Sequence, residues 1–107
     1  MINAIAPFNV LSGIETLSNA QEGWSLDQTA GFTEDRKFRG RVRFDRAFNA
    51  VPVVHIGIAG FDISDKDCAR LSASVANISV GGFEIVLSTW LNTQLWRVDV
   101  SWIAIGR

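Results

Sequence analysis

The chain has 107 residues, 48% of them hydrophobic, with ten basic and eleven acidic residues and a formal net charge of −1. This predicts one folded domain with a modest core rather than a disordered segment, and near-neutrality gives no overall pull toward nucleic acid or an anionic membrane. No apolar run reaches the roughly 18–20 residues of a membrane span, and the single Cys68 excludes an intrachain disulfide.

Residues 1–24 have only loose periodicity, and Ser18-Asn19-Ala20-Gln21-Glu22-Gly23 is turn-like, so this part reads as an N-terminal arm or strand. Its first residues, Met1-Ile2-Asn3-Ala4-Ile5-Ala6-Pro7-Phe8, lack the basic flank and unbroken apolar stretch of an ordinary secretory signal. Thr29 to Lys37 reads as an exposed loop. From Arg39 onward, short β-branched and aromatic runs alternate with Gly, Asn, Asp and Ser. Arg39 to Phe44 alternates, with Val42 and Phe44 on one face and Arg41 and Arg43 on the other. Asp45 to Asn49 is a turn. Val53 to Ala59 is apolar at successive positions, which predicts a central strand. Asp62 to Asp67 reads as a polar loop. Arg70 to Ile78 turns Leu71, Ala73 and Val75 inward, Gly81-Gly82 marks a turn, and Phe83, Ile85 and Leu87 alternate with Glu84, Val86 and Ser88. The last strand, Leu95 to Ile105, places Trp96, Val98, Val100 and Trp102 on one side by parity, with Leu95, Ile103 and Ile105 opposite. Five strands after Arg39 and one earlier predict a small all-β antiparallel sandwich over residues 25–107, one domain overall.

Catalytic groupings are sparse. His55 lies mid-strand in an apolar run and reads as a packed or interface histidine, since no nucleophile signature accompanies it. Cys68 reads as a partly buried thiol at a strand start, with nothing nearby to activate it. Asp62, Asp65 and Asp67 lack the glycine and distal glutamate of a calcium loop and read as solvated. Asn77-Ile78-Ser79 matches the glycosylation sequon, which matters only in a secretory host. Arg36, Lys37, Arg39, Arg41, Arg43 and Arg46 are locally basic, but strand alternation favours a solvated or salt-bridged face over a nucleic-acid site. No paired acid and base, metal set or cofactor motif is present, so neither an enzyme nor a cofactor is expected.

Three of the four tryptophans, Trp90, Trp96 and Trp102, recur at intervals of six. Trp102 sits inside an alternating strand and is expected in the core. Trp90 and Trp96 flank the polar turn around Asn92-Thr93, where an indole at the rim of a sandwich could cover the apolar face of a sugar.

Several elements, in order and spacing, resemble a known family. They are Phe44, Phe48 and Pro52-Val53-Val54; Gly60-Phe61-Asp62-Ile63; Arg70; Asn77-Ile78-Ser79-Val80-Gly81-Gly82-Phe83; Thr89-Trp90 followed by Asn92-Thr93; and Val100-Ser101-Trp102-Ile103-Ala104-Ile105-Gly106. Together they are similar to the H-type lectin domain, the family of snail agglutinins and of the C-terminal domains of discoidins. The resemblance runs from about Arg41 to Gly106.

The resemblance implies a six-stranded antiparallel β-sandwich that assembles as a homotrimer, or as a hexamer of stacked trimers. It also implies non-catalytic binding of galactose- or N-acetylgalactosamine-like glycans near protomer boundaries, with no nucleic acid, no metal and no membrane insertion. Position by position, Arg70 matches the family's pocket arginine, Trp90 its tryptophan after threonine, and Asp35 is the candidate pocket aspartate. Leu91 falls where the snail proteins have a histidine, and Trp96 where they have a tyrosine, which makes this pocket more apolar. The carbohydrate-binding set is therefore Asp35, Arg70, Trp90, Leu91 and Trp96, with Arg70 donating to hydroxyls, Asp35 accepting and an indole covering a sugar face. Such shallow sites bind at about millimolar to tens of micromolar, so several copies on one assembly supply avidity. Two readings follow: a multivalent adhesion protein of a cell surface or phage-like particle, released without an ordinary signal peptide, or a structural trimeric module that has lost sugar binding. Failing export, the protein would be cytoplasmic.

Overall fold

The computed structural model describes residues 8–29, 35–64 and 68–107. Among them there are six strands and no helix: β1 (Asn9–Ser18), β2 (Arg36–Arg43), β3 (Val53–Ser64), β4 (Ser72–Ser79), β5 (Gly82–Thr89) and β6 (Gln94–Gly106). They form two three-stranded antiparallel sheets, ordered β1-β6-β3 and β2-β5-β4. The expected all-β antiparallel sandwich is therefore the fold.

Period-2 alternation builds the core. Phe38 and Val42 of β2, Phe83, Ile85 and Leu87 of β5, and Val98, Val100, Trp102 and Ala104 of β6 are buried between the sheets. Phe44 is a hub, with ring centroids 5.2 Å from Phe48, 5.8 Å from Phe83 and 5.7 Å from Trp102. Toward the other end, Trp24 packs on Phe38 at 4.9 Å and donates its Nε1–H to the Leu95 carbonyl at 2.9 Å. The Leu95 amide in turn donates to the Leu26 carbonyl, and Gln94 Nε2 to that of Asp27. Residues 24–27 thus plug the sandwich beside the start of β6. The two layers meet closely where Leu17 lies over Gly40: a Cβ there would sit 2.8 Å from a Leu17 methyl.

Several expectations are corrected. β3 is an edge strand, and β6 is central. Apolar residues on both faces of β3 do not mean neighbours on both sides: Val53 is 74% exposed on the outer face, and Ile58, on the side of its buried partner Val100, is still 44% exposed. On β6, Asp62 and Ile63 pair with Arg97 and Leu95, so Trp96 is an extra residue in a bulge. The bulge shifts the phase: Leu95 is fully buried instead of facing out, while Trp96 is half-buried rather than on the Trp102 face. Ile103 and Ile105 do face outward. Asp62 belongs to β3, and Asp65 and Asp67 lie outside the described residues. Arg36 and Lys37 belong to β2 rather than to a loop, and Arg70 precedes β4 by two residues. His55 is exposed on the outer face of β3, which excludes the packed reading and leaves the interface one, and Cys68 is exposed rather than partly buried.

Candidate functional site

Strand register brings most of the expected residues to one end of the β2-β5-β4 sheet. The last β2–β5 pair is Arg36 with Thr89, and β4 meets β5 at Ser72 and Ser88. Asp35 and the segment 68–71 therefore flank the end of β5 from both sides, where the chain leaves through Trp90 into the turn at Leu91-Asn92.

Two arginines hold that turn. From beneath, Arg36 Nη2 donates to the carbonyls of Leu91 at 2.7 Å and Thr93 at 2.9 Å. Leu91 has φ +57°, a left-handed conformation that costs a branched L-residue about 1–2 kcal/mol, so these bonds help to hold a strained backbone. Arg36 Nε and Nη1 are buried with no hydrogen-bond partner among the described residues. Burial pushes the Arg36 guanidinium below its ordinary pKa, and the carboxylate of Asp27 works in the opposite direction.

From the side, Arg70 Nη1 donates to the Cys68 carbonyl at 3.2 Å, Asn92 Oδ1 at 3.0 Å and Thr93 Oγ1 at 3.2 Å. Thr93, fully buried, donates its hydroxyl to the Cys68 carbonyl at 2.9 Å. Thr89, also fully buried, donates to the Arg70 carbonyl at 2.5 Å. Arg70 is thus bound into a polar network joining the approach to β4 with the β5–β6 turn.

Around this network, Asp35 and Leu91 are exposed, and Trp90 and Trp96 are half-buried. Neither indole takes part in a ring contact of the core among the described residues, unlike Trp24 and Trp102. Trp96 lies in the other sheet, at the start of β6, where its carbonyl accepts from the Asn19 amide. The arrangement therefore gathers Asp35, Arg70, Trp90 and Leu91 at one sheet end. Trp96 stands apart from these four, in the facing sheet. A carboxylate, a guanidinium and an indole can recognise hydroxyls and an apolar ring face. Among the described residues no three of His, Cys, Asp and Glu come together to hold a metal ion.

Comparison with known proteins gives the family of the chain. The family model of the H-type lectin domain matches residues 39–105. The chain belongs to the H-type lectin domain family. A protein of Fuscovulum blasticum described as "ATP synthase subunits region ORF 7" is 37% identical over 71 residues, 66% of this chain. The present chain spans 62% of that relative's length. Two structures of discoidin II from Dictyostelium discoideum, one recombinant and one wild-type, superpose with a TM-score of 0.83 at 23% identity. They cover 99% of this chain, which matches 40% and 39% of theirs, and they share its fold.

Of the residues in this cluster, Arg36 is not marked as a site residue by the sequence, and Thr89 and Thr93 enter there only as elements of the family pattern. By sequence Arg36 falls in a locally basic run, yet it is in phase with Phe38, Gly40 and Val42, which are buried. That parity was the available signal. The two threonines stand in the Thr89-Trp90 and Asn92-Thr93 elements of the family pattern, but their hydrogen bonds to the Arg70 and Cys68 carbonyls come only from burial beside Arg70.

Proposed function

We propose that this H-type lectin domain is a non-catalytic, multivalent carbohydrate-binding protein. Asp35, Arg70, Trp90, Leu91 and Trp96 form its sugar-contact set, and galactose- or N-acetylgalactosamine-like glycans are its ligands. The observation that carries the reading is the convergence of Asp35, Arg70 and Trp90 around a turn tied by two arginines. Such pre-organisation lowers the ordering cost of a weak ligand. The site offers donors, acceptors and a flat apolar face, which suit the hydroxyls and ring face of a sugar.

Multivalency is supported by the outer face of the β1-β6-β3 sheet. Cross-strand pairing lines up Val10, Ile105 and Val53 in one row, then Ser12, Ile103 and His55, then Ile14, Ser101 and Gly57. Val10 is 57% exposed, Ile14 66% and Val53 74%, in a contiguous apolar area of the kind that marks an interaction surface. We assign this face to a homotrimer, alone or stacked as a hexamer, with His55 within the contact. The same strands become polar at the other end, where Thr16 Oγ1 donates to Asp99 Oδ1 at 3.0 Å and Arg97 lies 3.4 Å from it. Its place of action would be outside the cell or on a released particle, as an adhesion component, because that is where such glycans are met.

A glycan array probed with the native oligomer tests the reading. Galactose-type glycans should be retained, and Arg70→Ala should lose them while remaining folded. A specific observation supports the second reading, a structural trimeric module: Arg70 Nη1 is committed to internal acceptors, and the exposed side chain beside it is the apolar Leu91. An array with no retained glycan, from a protein that sediments as a trimer, would select that module.

A further inference from the structure

The outer face of the β2-β5-β4 sheet carries a feature that the sugar site does not use. Lys37, Arg39, Arg41 and Arg43 occupy every second position of β2, and all four are exposed. At about 3.4 Å per residue, neighbouring charges lie about 7 Å apart and the row spans about 20 Å. Because that spacing is below the Debye length of about 8–10 Å, the charges act as one field. Arg39 approaches Glu84 at 3.8 Å. Among the described residues, Lys37, Arg41 and Arg43 have no ion pair. A chain of net charge −1 thus concentrates positive charge on one strand.

The surface beside the row is low. Register sets Lys37 beside Ser88 and Ser72, Arg39 beside Val86 and Ser74, Arg41 beside Glu84 and Ala76, and Arg43 beside Gly82 and Ser79. Ser72, Ser74, Ser79, Ser88 and Ala76, with Val86, therefore floor a trough with a cationic wall on one side, interrupted beside Arg41 by the Glu84 carboxylate. Toward the Arg43 end it deepens into a hollow of about 240 Å³ lined by Arg41, Asn77, Ser79, Gly82, Phe83 and Glu84.

We infer that this trough is a second glycan-binding surface, which takes a linear anionic polysaccharide bearing sulfate or carboxylate groups along β2. The cationic row supplies charge complementarity, and the serine floor suits a hydroxyl-rich chain. Nucleic acid fits less well, since Phe38 and Phe83 are buried and no exposed aromatic on this face offers a stacking platform among the described residues. A membrane surface fits less well too, because the face has no exposed large apolar side chain to insert.

The test uses the intact protein on a biosensor carrying heparin, with neutral dextran, single-stranded DNA and phosphatidylserine vesicles as comparisons. Heparin should be retained in preference to all three. Affinity should fall roughly tenfold or more as salt rises from about 0.05 M to about 0.5 M. The triple variant Lys37→Thr, Arg41→Thr, Arg43→Thr, which keeps β-forming side chains, should lose roughly tenfold or more. Arg97→Thr on the other sheet should stay within about twofold of the parent, and so should Arg70→Ala, which separates this surface from the sugar site. If the triple variant misfolds, Arg41→Thr alone should show a smaller loss in the same direction. Absence of heparin binding, parent-like affinity in the folded triple variant, or tighter binding to DNA or vesicles would overturn the inference.

Discussion

Replacing Thr93 by valine tests whether the polar network positions the sugar site. Thr93 is fully buried, and valine matches its shape, so the change removes a hydroxyl with little loss of volume. Two interactions go: the donation to the Cys68 carbonyl at 2.9 Å and the acceptance from Arg70 Nη1 at 3.2 Å. A neutral bond contributes about 1 kcal/mol, and one to a charged group about 1.5–3 kcal/mol. The lower part of that range applies, because Arg70 Nη1 keeps Asn92 Oδ1 and the Cys68 carbonyl keeps Arg70. The sum is about 2 kcal/mol, which at about 4–8 °C per kcal/mol lowers Tm by about 8–16 °C. Melting curves should be taken at fixed protein concentration, since assembly would make Tm concentration-dependent. Thr93→Ser is the control: it keeps the hydroxyl and loses one buried methyl, at a cost of about 1 kcal/mol. Glycan binding should survive in the serine variant and weaken in the valine variant. If the two variants bind alike, or valine leaves Tm unchanged, Thr93 does not position Arg70 and the reasoning fails.

Leu91→Asn should stabilise the fold by about 0.5–1 kcal/mol, because asparagine tolerates the left-handed conformation better; a denaturation midpoint at or below that of the parent would count against strain at this turn. Gly82→Ala should destabilise by more than about 2 kcal/mol, since its Cβ would lie 2.2 Å from the Val42 carbonyl oxygen, and a parent-like urea midpoint would contradict the close β2–β5 approach. Ile14→Lys, at a site 66% exposed, should leave the circular dichroism spectrum intact and shift sedimentation toward the monomer; an unchanged oligomer would remove that face from the assembly contact.

Much of this protein was legible from side-chain parity. Val42 and Phe44, then Phe83, Ile85 and Leu87, then Val98, Val100 and Trp102 alternate with polar or small partners, and each run is buried as its period requires. Trp102 reads as core for the same reason, and the ordered Thr-Trp and Ser-Trp-Ile-Ala-Ile-Gly segments carry the family. Parity fails where the count of residues between layers changes. The extra residue at Trp96 sends Leu95 inward, and a bulge is set by which partner residues the ladder skips, which one strand cannot reveal about itself. Edge or central placement is likewise a property of neighbours, so the two apolar faces of β3 could not distinguish burial between layers from a face open to a partner. The site depended most on tertiary structure. Arg70 and Trp90 were visible as residue types, but their relation to Arg36, Thr89 and Thr93 exists only because antiparallel register brings the ends of β2, β4 and β5 together. Hydrogen bonds between residues 22, 25 or 57 positions apart are decided by that pairing, and no local pattern in the chain encodes them.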